Sequence, residues 1–267
     1  MNYIKIAKSL RRSILEMIYN SKSGHIGGSF SCIDILVALF YGKILKFNSK
    51  KPDLKNRDRL IVSKGHASAA FYSVLSSLGF IKKQELKKYC KNNTRLATHL
   101  NKEVPGVEFD TGSLGHGLGV GCGLAYAAKL DKKKYNIFVL LSDGELYEGS
   151  TWEALIFANN FNLNNLTIII DRNKQIVMDK TEDCMVLDPL VKKFKSFGFK
   201  TLETDGHSIK KLISIFKKIK NSKTKKPTVV IANTIKGKGV SFMEGNVKWH
   251  HSVPNKDEFI KAKIELR

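Results

Sequence analysis

No stretch of this chain is apolar enough, for long enough, to cross a membrane. Its first residues also lack the continuous apolar core of a secretory signal, so a soluble cytoplasmic protein is expected. Cysteine is scarce: Cys32, Cys90, Cys122 and Cys184 lie far apart, with no C-x-x-C pair. That spacing argues against a zinc site and a disulfide framework, and all four are expected to be reduced thiols in the core. Acidic residues are few, 24 against 46 lysines and arginines, which leaves a net charge of +22. Such a charge first suggests a basic nucleic-acid-binding domain. The placement of the lysines argues against that. They are scattered along the whole chain, as in Lys82-Lys83, Lys132–Lys134, Lys192-Lys193 and Lys217-Lys218, mostly beside helices or loops where water solvates them. Isoleucine, asparagine and lysine are all abundant, a pattern that AT-rich codon usage produces without any partner. The expectation is no nucleic acid and no membrane, with a charge that still favours anionic ligands at long range.

What is present reads as α/β. The 267 residues suffice for one large domain over 1–267, with no repeats and no long linker. Ile4, Ala7, Leu10, Ile14 and Ile18 form one stripe of a helix over 3–19. A Gly/Ser-rich turn over 21–31 follows, and Ser31 with Asp34 is read as the cap of a helix over 32–41. Strands are expected at 59–62, 135–141, 166–171, 199–203 and 228–233. Helices are expected at 67–78, 82–90, 151–162, 187–196, 208–220 and 256–265, with 92–111 as loop. A glycine-rich stretch, Gly112–Gly123, enters a further helix ending near Ala128, and its inner glycines are read as contacts for tight helix packing. Alternating strands and helices imply a mostly parallel sheet with helices on both faces.

Two polar residues end two of the strongest strands. Asp143 follows the apolar run Ile137–Leu141, and Asn173 follows Leu166–Ile170. Parallel strands emerge on one edge, where ligands bind, so the two side chains should meet there. One carboxylate and one amide oxygen suit a hard divalent cation holding a diphosphate. The glycine-rich loop Thr111-Gly-Ser-Leu-Gly-His-Gly117 lets backbone N–H groups approach an anion, and a helix N-terminus adds a favourable dipole. It is neither a phosphate loop of the Gly-Lys-Ser/Thr type nor a dinucleotide fingerprint. His25, His66, His99, His250 and His251 lie mostly in loops or at helix starts, beside glycine or small polar residues. Several loop histidines near strand ends suggest a hydroxyl-rich or anionic ligand.

Taken in order, these segments resemble the transketolase family of thiamine-diphosphate enzymes. The resemblance rests on Ser23-Gly-His-Ile-Gly27, Ser63-Lys-Gly-His-Ala67, Thr111-Gly-Ser-Leu-Gly-His-Gly117, Ser142-Asp-Gly-Glu-Leu-Tyr-Glu-Gly149, Asp171-Arg-Asn173 and Lys236-Gly-Lys-Gly-Val-Ser-Phe-Met-Glu244. It spans about 5–254 and corresponds to the family's first, diphosphate-binding half. The resemblance implies the N-terminal subunit of a split transketolase, active with a separate C-terminal subunit that carries the pyrimidine-binding domain, as an α2β2 assembly. It implies thiamine diphosphate and Mg²⁺, or Ca²⁺ or Mn²⁺, as cofactors and sugar phosphates as substrates. A sulfo-sugar or apulose-phosphate transketolase is the related alternative. Carried over, Asp143 and Asn173 would bind the metal through side-chain oxygens and Gln175 through its backbone carbonyl. Gly144, Gly112, Ser113 and Leu114 would line the cofactor. His66 and His250 would lie against its diphosphate and reacting centre. His25, His99 and His250 would bind ketose hydroxyls and move protons, and Glu148 would couple two active sites where two chains meet. The chain departs from the family at Ser142, His116, His251 and the segment after Asn173.

Overall fold

The computed structural model describes residues 1–267. One sheet holds five strands: β1 (Arg59–Val62), β2 (Ile137–Ser142), β3 (Leu166–Arg172), β4 (Lys200–Asp205) and β5 (Thr228–Asn233). Every pairing is parallel, in the order β1-β2-β3-β5-β4. The helices are α1 (Tyr3–Ser21), α2 (Ile26–Phe40), α3 (Ser68–Ser77), α4 (Gly117–Leu130), α5 (Gly149–Asn160), α6 (Thr181–Cys184), α7 (Leu190–Ser196), α8 (Ile209–Lys220) and α9 (Lys256–Glu265).

Both sheet faces are covered, which is why β2 and β3 read as unbroken apolar runs rather than alternating ones. Successive strand residues point to opposite faces. Leu60, Val62, Phe138, Leu140, Ile169 and Val230 pack on one side with α1, α2, α3, α8 and α9. Ile61, Val139, Leu141, Ile168, Ile170 and Ile231 pack on the other with α4, α5 and α7. The register Ser142↔Asp171 places the ends of β2 and β3 side by side.

Several expected boundaries move. The helix expected from residue 32 begins at Ile26, and all of Ile26–Phe40 is buried. Ser31 and Asp34 therefore do not cap it. Ser31 Oγ donates to Asp171 Oδ2 at 2.6 Å, and Asp34 accepts from Arg11 Nη2 and His207 Nδ1, each at 2.7 Å. Gly27 is the local reason: a Cβ there would lie 2.7 Å from the Trp249 carbonyl oxygen, so glycine admits the close packing that holds the first turn. The helix expected over 82–90 is a short 3-10 helix over Lys83–Lys88, and α6 was not foreseen. Of the glycines read as packing contacts, only Gly121 is one, its Cβ position lying 2.4 Å from Val139 Cγ2. Gly119 and Gly123 face open space. Cys32 and Cys122 are buried, but Cys184 is exposed and Cys90 half-buried.

Candidate active site

The C-terminal edge of β2 and β3 presents Asp143 and Asn173. Asp143 is fully buried. Its Oδ1 accepts from Gly144 N at 2.9 Å, and its Oδ2 from Lys174 N at 2.5 Å and Arg172 Nη1 at 3.3 Å. The amide of the residue just after Asn173 thus lies on the Asp143 carboxylate, so the two strand ends converge as the spacing implies. Burial, then the nearby Asp171 charge, pushes the Asp143 carboxyl up to about 6 against the pull of Arg172. Asn173 Oδ1 accepts one hydrogen bond, from Gln175 N at 3.1 Å. Gln175 Nε2 donates to Gly245 O at 2.5 Å, while its buried Oε1 has no partner.

Five imidazoles gather beside this edge. His25 lies between α1 and α2, and its ring centroid is 5.4 Å from His66, 5.6 Å from His99, 5.3 Å from His250 and 4.6 Å from His251. They arrive from distant parts of the chain: His66 from the turn after β1, and His250 and His251 from the 3-10 helix after β5. His99 is brought in by the bridge between Leu100 and Thr111, which sets it against Gly112. Glycine is required there, because a Cβ would meet His99 Cδ2 at 2.9 Å. Burial first, and neighbouring positive or imidazole charge second, keeps the rings neutral: His25 falls to about 4, His250 to about 3, and His66 and His99 also fall. Each neutral ring offers one N–H donor and one lone pair. His251 packs on His25 beside His250, so both residues of the pair face the cluster, with His250 the less exposed.

The remaining expected residues sit around this centre. Gly144 is close-packed, its Cβ position 3.0 Å from Ile176 Cγ2. Ser113 is exposed and Leu114 half-buried, on the loop that leads into α4. Glu148 is exposed at the start of α5, away from the imidazoles' hydrogen bonds, on a surface open to another chain.

Sequence reading missed three residues. Lys64, fully buried, donates to Asp171 Oδ2 at 2.5 Å and to Gly28 O at 2.9 Å. Burial opposes its charge, but Asp171 outweighs burial and holds Lys64 above its ordinary value. Lys236, 2% exposed, donates to Ile176 O at 2.8 Å and lies 2.9 Å from His250 Nδ1. Burial and then Lys64 lower it to about 8. Glu145, fully buried, accepts from Ser63 Oγ and, at 2.9 Å, from Gly115 N, and so ties the glycine-rich loop to the ends of β1 and β2. The signal for both lysines was a Lys-Gly step directly after a strand, hidden among 46 basic residues.

The donors at the edge fit a hard cation. All are oxygens: a buried carboxylate short of positive charge, an amide oxygen with a free lone pair, and the Gln175 carbonyl, whose only cationic neighbour is Lys236 Nζ at 3.5 Å. Neutral imidazoles and buried lysines beside them suit a diphosphate and a polyhydroxylated ligand.

Comparison with known proteins places this architecture in a class. The family profile described as "Transketolase, thiamine diphosphate binding domain" matches residues 3–266. The fold and the edge site are therefore those of a thiamine-diphosphate-binding domain, and the chain belongs to the transketolase family. One of the two subunits of an apulose-4-phosphate transketolase from Phocaeicola vulgatus is 42% identical over 256 residues, 96% of this chain and 90% of that one. A 6-deoxy-6-sulfo-D-fructose transketolase subunit from a Clostridium species is 34% identical over 97% of this chain and 94% of its own. Human transketolase is 36% identical over 91% of this chain but only 38% of its own length. The crystal structure of transketolase from Campylobacter jejuni superposes with a TM-score of 0.93 at 30% identity, covering 100% of this chain and 43% of that one. The chain thus spans about two fifths of these one-chain transketolases and nine tenths or more of the subunits.

Proposed function

We propose that residues 1–267 form the cofactor-binding subunit of a two-chain transketolase. It transfers a two-carbon ketol unit from a ketose phosphate to an aldose phosphate, together with a separate pyrimidine-binding chain. The observation that carries this reading is the five-imidazole cluster around His25 at the edge where Asp143 and Asn173 converge. The match in length to chains named as subunits supports the split, and an α2β2 assembly is the symmetric form it would take. The free thiols are compatible with a reducing cytoplasm.

Asp143, Asn173 and the Gln175 carbonyl hold Mg²⁺, which binds the diphosphate. Gly112, Ser113, Leu114 and Gly144 line the cofactor, with His66 beside it. When bound, thiamine diphosphate supplies the nucleophilic carbon and the electron sink for C–C cleavage. The chain's own work is positional. His25, His99 and His250, neutral at pH 7, hydrogen-bond the hydroxyls of an open-chain ketose and hold or pass its protons. Glu148 meets the partner chain.

The specific donor has a second reading. Two apulose-4-phosphate transketolase chains are 42–43% identical to this one, against 36% for human transketolase. Apulose 4-phosphate is therefore to be assayed beside the common ketose phosphates. The test mixes the chain with the product of the adjoining reading frame and follows ketol transfer and gel-filtration mass. Activity is expected only from the mixture, and full activity from this chain alone would refute the split. Asp143→Ala is expected to abolish Mg²⁺-dependent thiamine diphosphate binding by calorimetry, and an unchanged affinity would refute the metal assignment.

A further inference from the structure

The seat of Lys236 has a consequence for how His250 is protonated. The lysine is anchored along its backbone, with Gly245 N donating to Lys236 O at 2.9 Å and Gly237 N donating to Gly27 O at 3.0 Å. Its Nζ meets Ile176 O at 2.8 Å, Gln175 O at 3.5 Å and His250 Nδ1 at 2.9 Å. An ammonium group carries three N–H donors and no lone pair. The two carbonyls only accept. The third neighbour, His250 Nδ1, must therefore accept as well, which leaves that nitrogen without a proton. A neutral imidazole bare at Nδ1 carries its hydrogen on Nε2. No hydrogen bond within the chain reaches His250 Nε2.

We infer that Lys236 is a positioning residue that locks His250 as its Nε2–H tautomer, so the nitrogen His250 keeps for substrate is a donor and not a lone pair. Resting on the ketol-transfer reading, this sharpens the division of labour in the cluster. His250 can donate to a carbonyl or alkoxide oxygen of the ketose, but it cannot take a hydroxyl proton at Nε2. That task falls to a ring with a free lone pair. His25 is placed for it, because its buried Nδ1 has no partner and so is not committed to any group of the chain.

The test needs neither cofactor nor turnover, so it stands apart from the ketol-transfer reading. Long-range 1H–15N correlation spectra of the histidine-labelled chain are recorded at pH 7, with His250 assigned by its loss in His250→Gln. The expected result is an unprotonated, hydrogen-bonded Nδ1 and a protonated Nε2. Lys236→Met should move the Nδ1 resonance, and Lys236→Arg, which keeps a donor, should bring it back. A wild-type His250 protonated on Nδ1 overturns the inference, as does an Nδ1 resonance that stays unmoved in Lys236→Met. If the methionine variant fails to fold, the wild-type spectrum alone decides.

Discussion

Replacing Glu145 with glutamine removes a titration without removing an acceptor. The wild-type carboxylate uses only Oε1, which takes hydrogen bonds from Ser63 Oγ and Gly115 N, while Oε2 is buried with no partner. Glutamine keeps an Oε1 for both donors. Burial raises the Glu145 carboxyl from 4.5 to about 7, with the Ser63 and Gly115 bonds pulling the other way. The folded state thus holds its proton more tightly than the unfolded state. Stability is undiminished below pH 4.5, falls as pH rises through 7, and then levels. At about 1.4 kcal/mol per tenfold change, the loss reaches roughly 3 kcal/mol by pH 8. Glu145→Gln should escape it, at the lesser cost of one buried amide N–H pair without acceptors, about 1–3 kcal/mol. The difference between variant and wild type should therefore swing by about 3 kcal/mol in favour of glutamine between pH 4.5 and 8. For a chain of this size that is about 6–12 °C in melting temperature. The assay is urea or thermal unfolding of the isolated chain with a chelator present, from pH 4.5 to 8.5. Parallel pH profiles for the two proteins would refute a buried ionisable Glu145.

Three further outcomes are expected. His25 and His250 sit below their ordinary value of 6.5, so the unfolded state takes up protons first and stability is lost as pH falls below 6.5. The loss at pH 5 is at most about 2 kcal/mol for each partly exposed ring, less any screening by solvent. His25→Asn should flatten the slope of unfolding free energy between pH 7 and 5, and an unchanged slope would count against the burial. Lys64→Met strands the buried Asp171 carboxylate and should cost roughly 3–5 kcal/mol in urea unfolding, with a loss under about 1 kcal/mol contradicting the pair. Gly121→Ala should lower the melting temperature, because its methyl group meets Val139. Gly123→Ala on the open face of the same helix should raise it by about 0.5–1 kcal/mol of stability, and equal effects at the two positions would contradict the packing.

The parallel sheet was legible because β2 and β3 are short, unbroken apolar runs, each closed by a polar residue. Local periodicity of that kind needs no knowledge of the rest of the chain. The edge ligands were legible for the same reason, since strand polarity alone sends Asp143 and Asn173 to one edge. The start of α2 was not legible. Glycine and serine at 27–31 disfavour a helix locally, and only burial against Trp249 and the strand ends makes one. The roles of Ser31 and Asp34 were misread with it, because their partners, Asp171 and His207, lie more than a hundred residues away.

By itself, then, the order of residues determined which elements form, which edge of the sheet is polar and which histidines are free of regular structure. Tertiary contact decided the chemistry: which imidazoles meet, which stay neutral, and which lysine of so many is buried against a ring nitrogen. The physical reason is range. Hydrogen-bond periodicity acts over a few residues, whereas desolvation and the pairing of charge depend on neighbours that only the folded chain supplies.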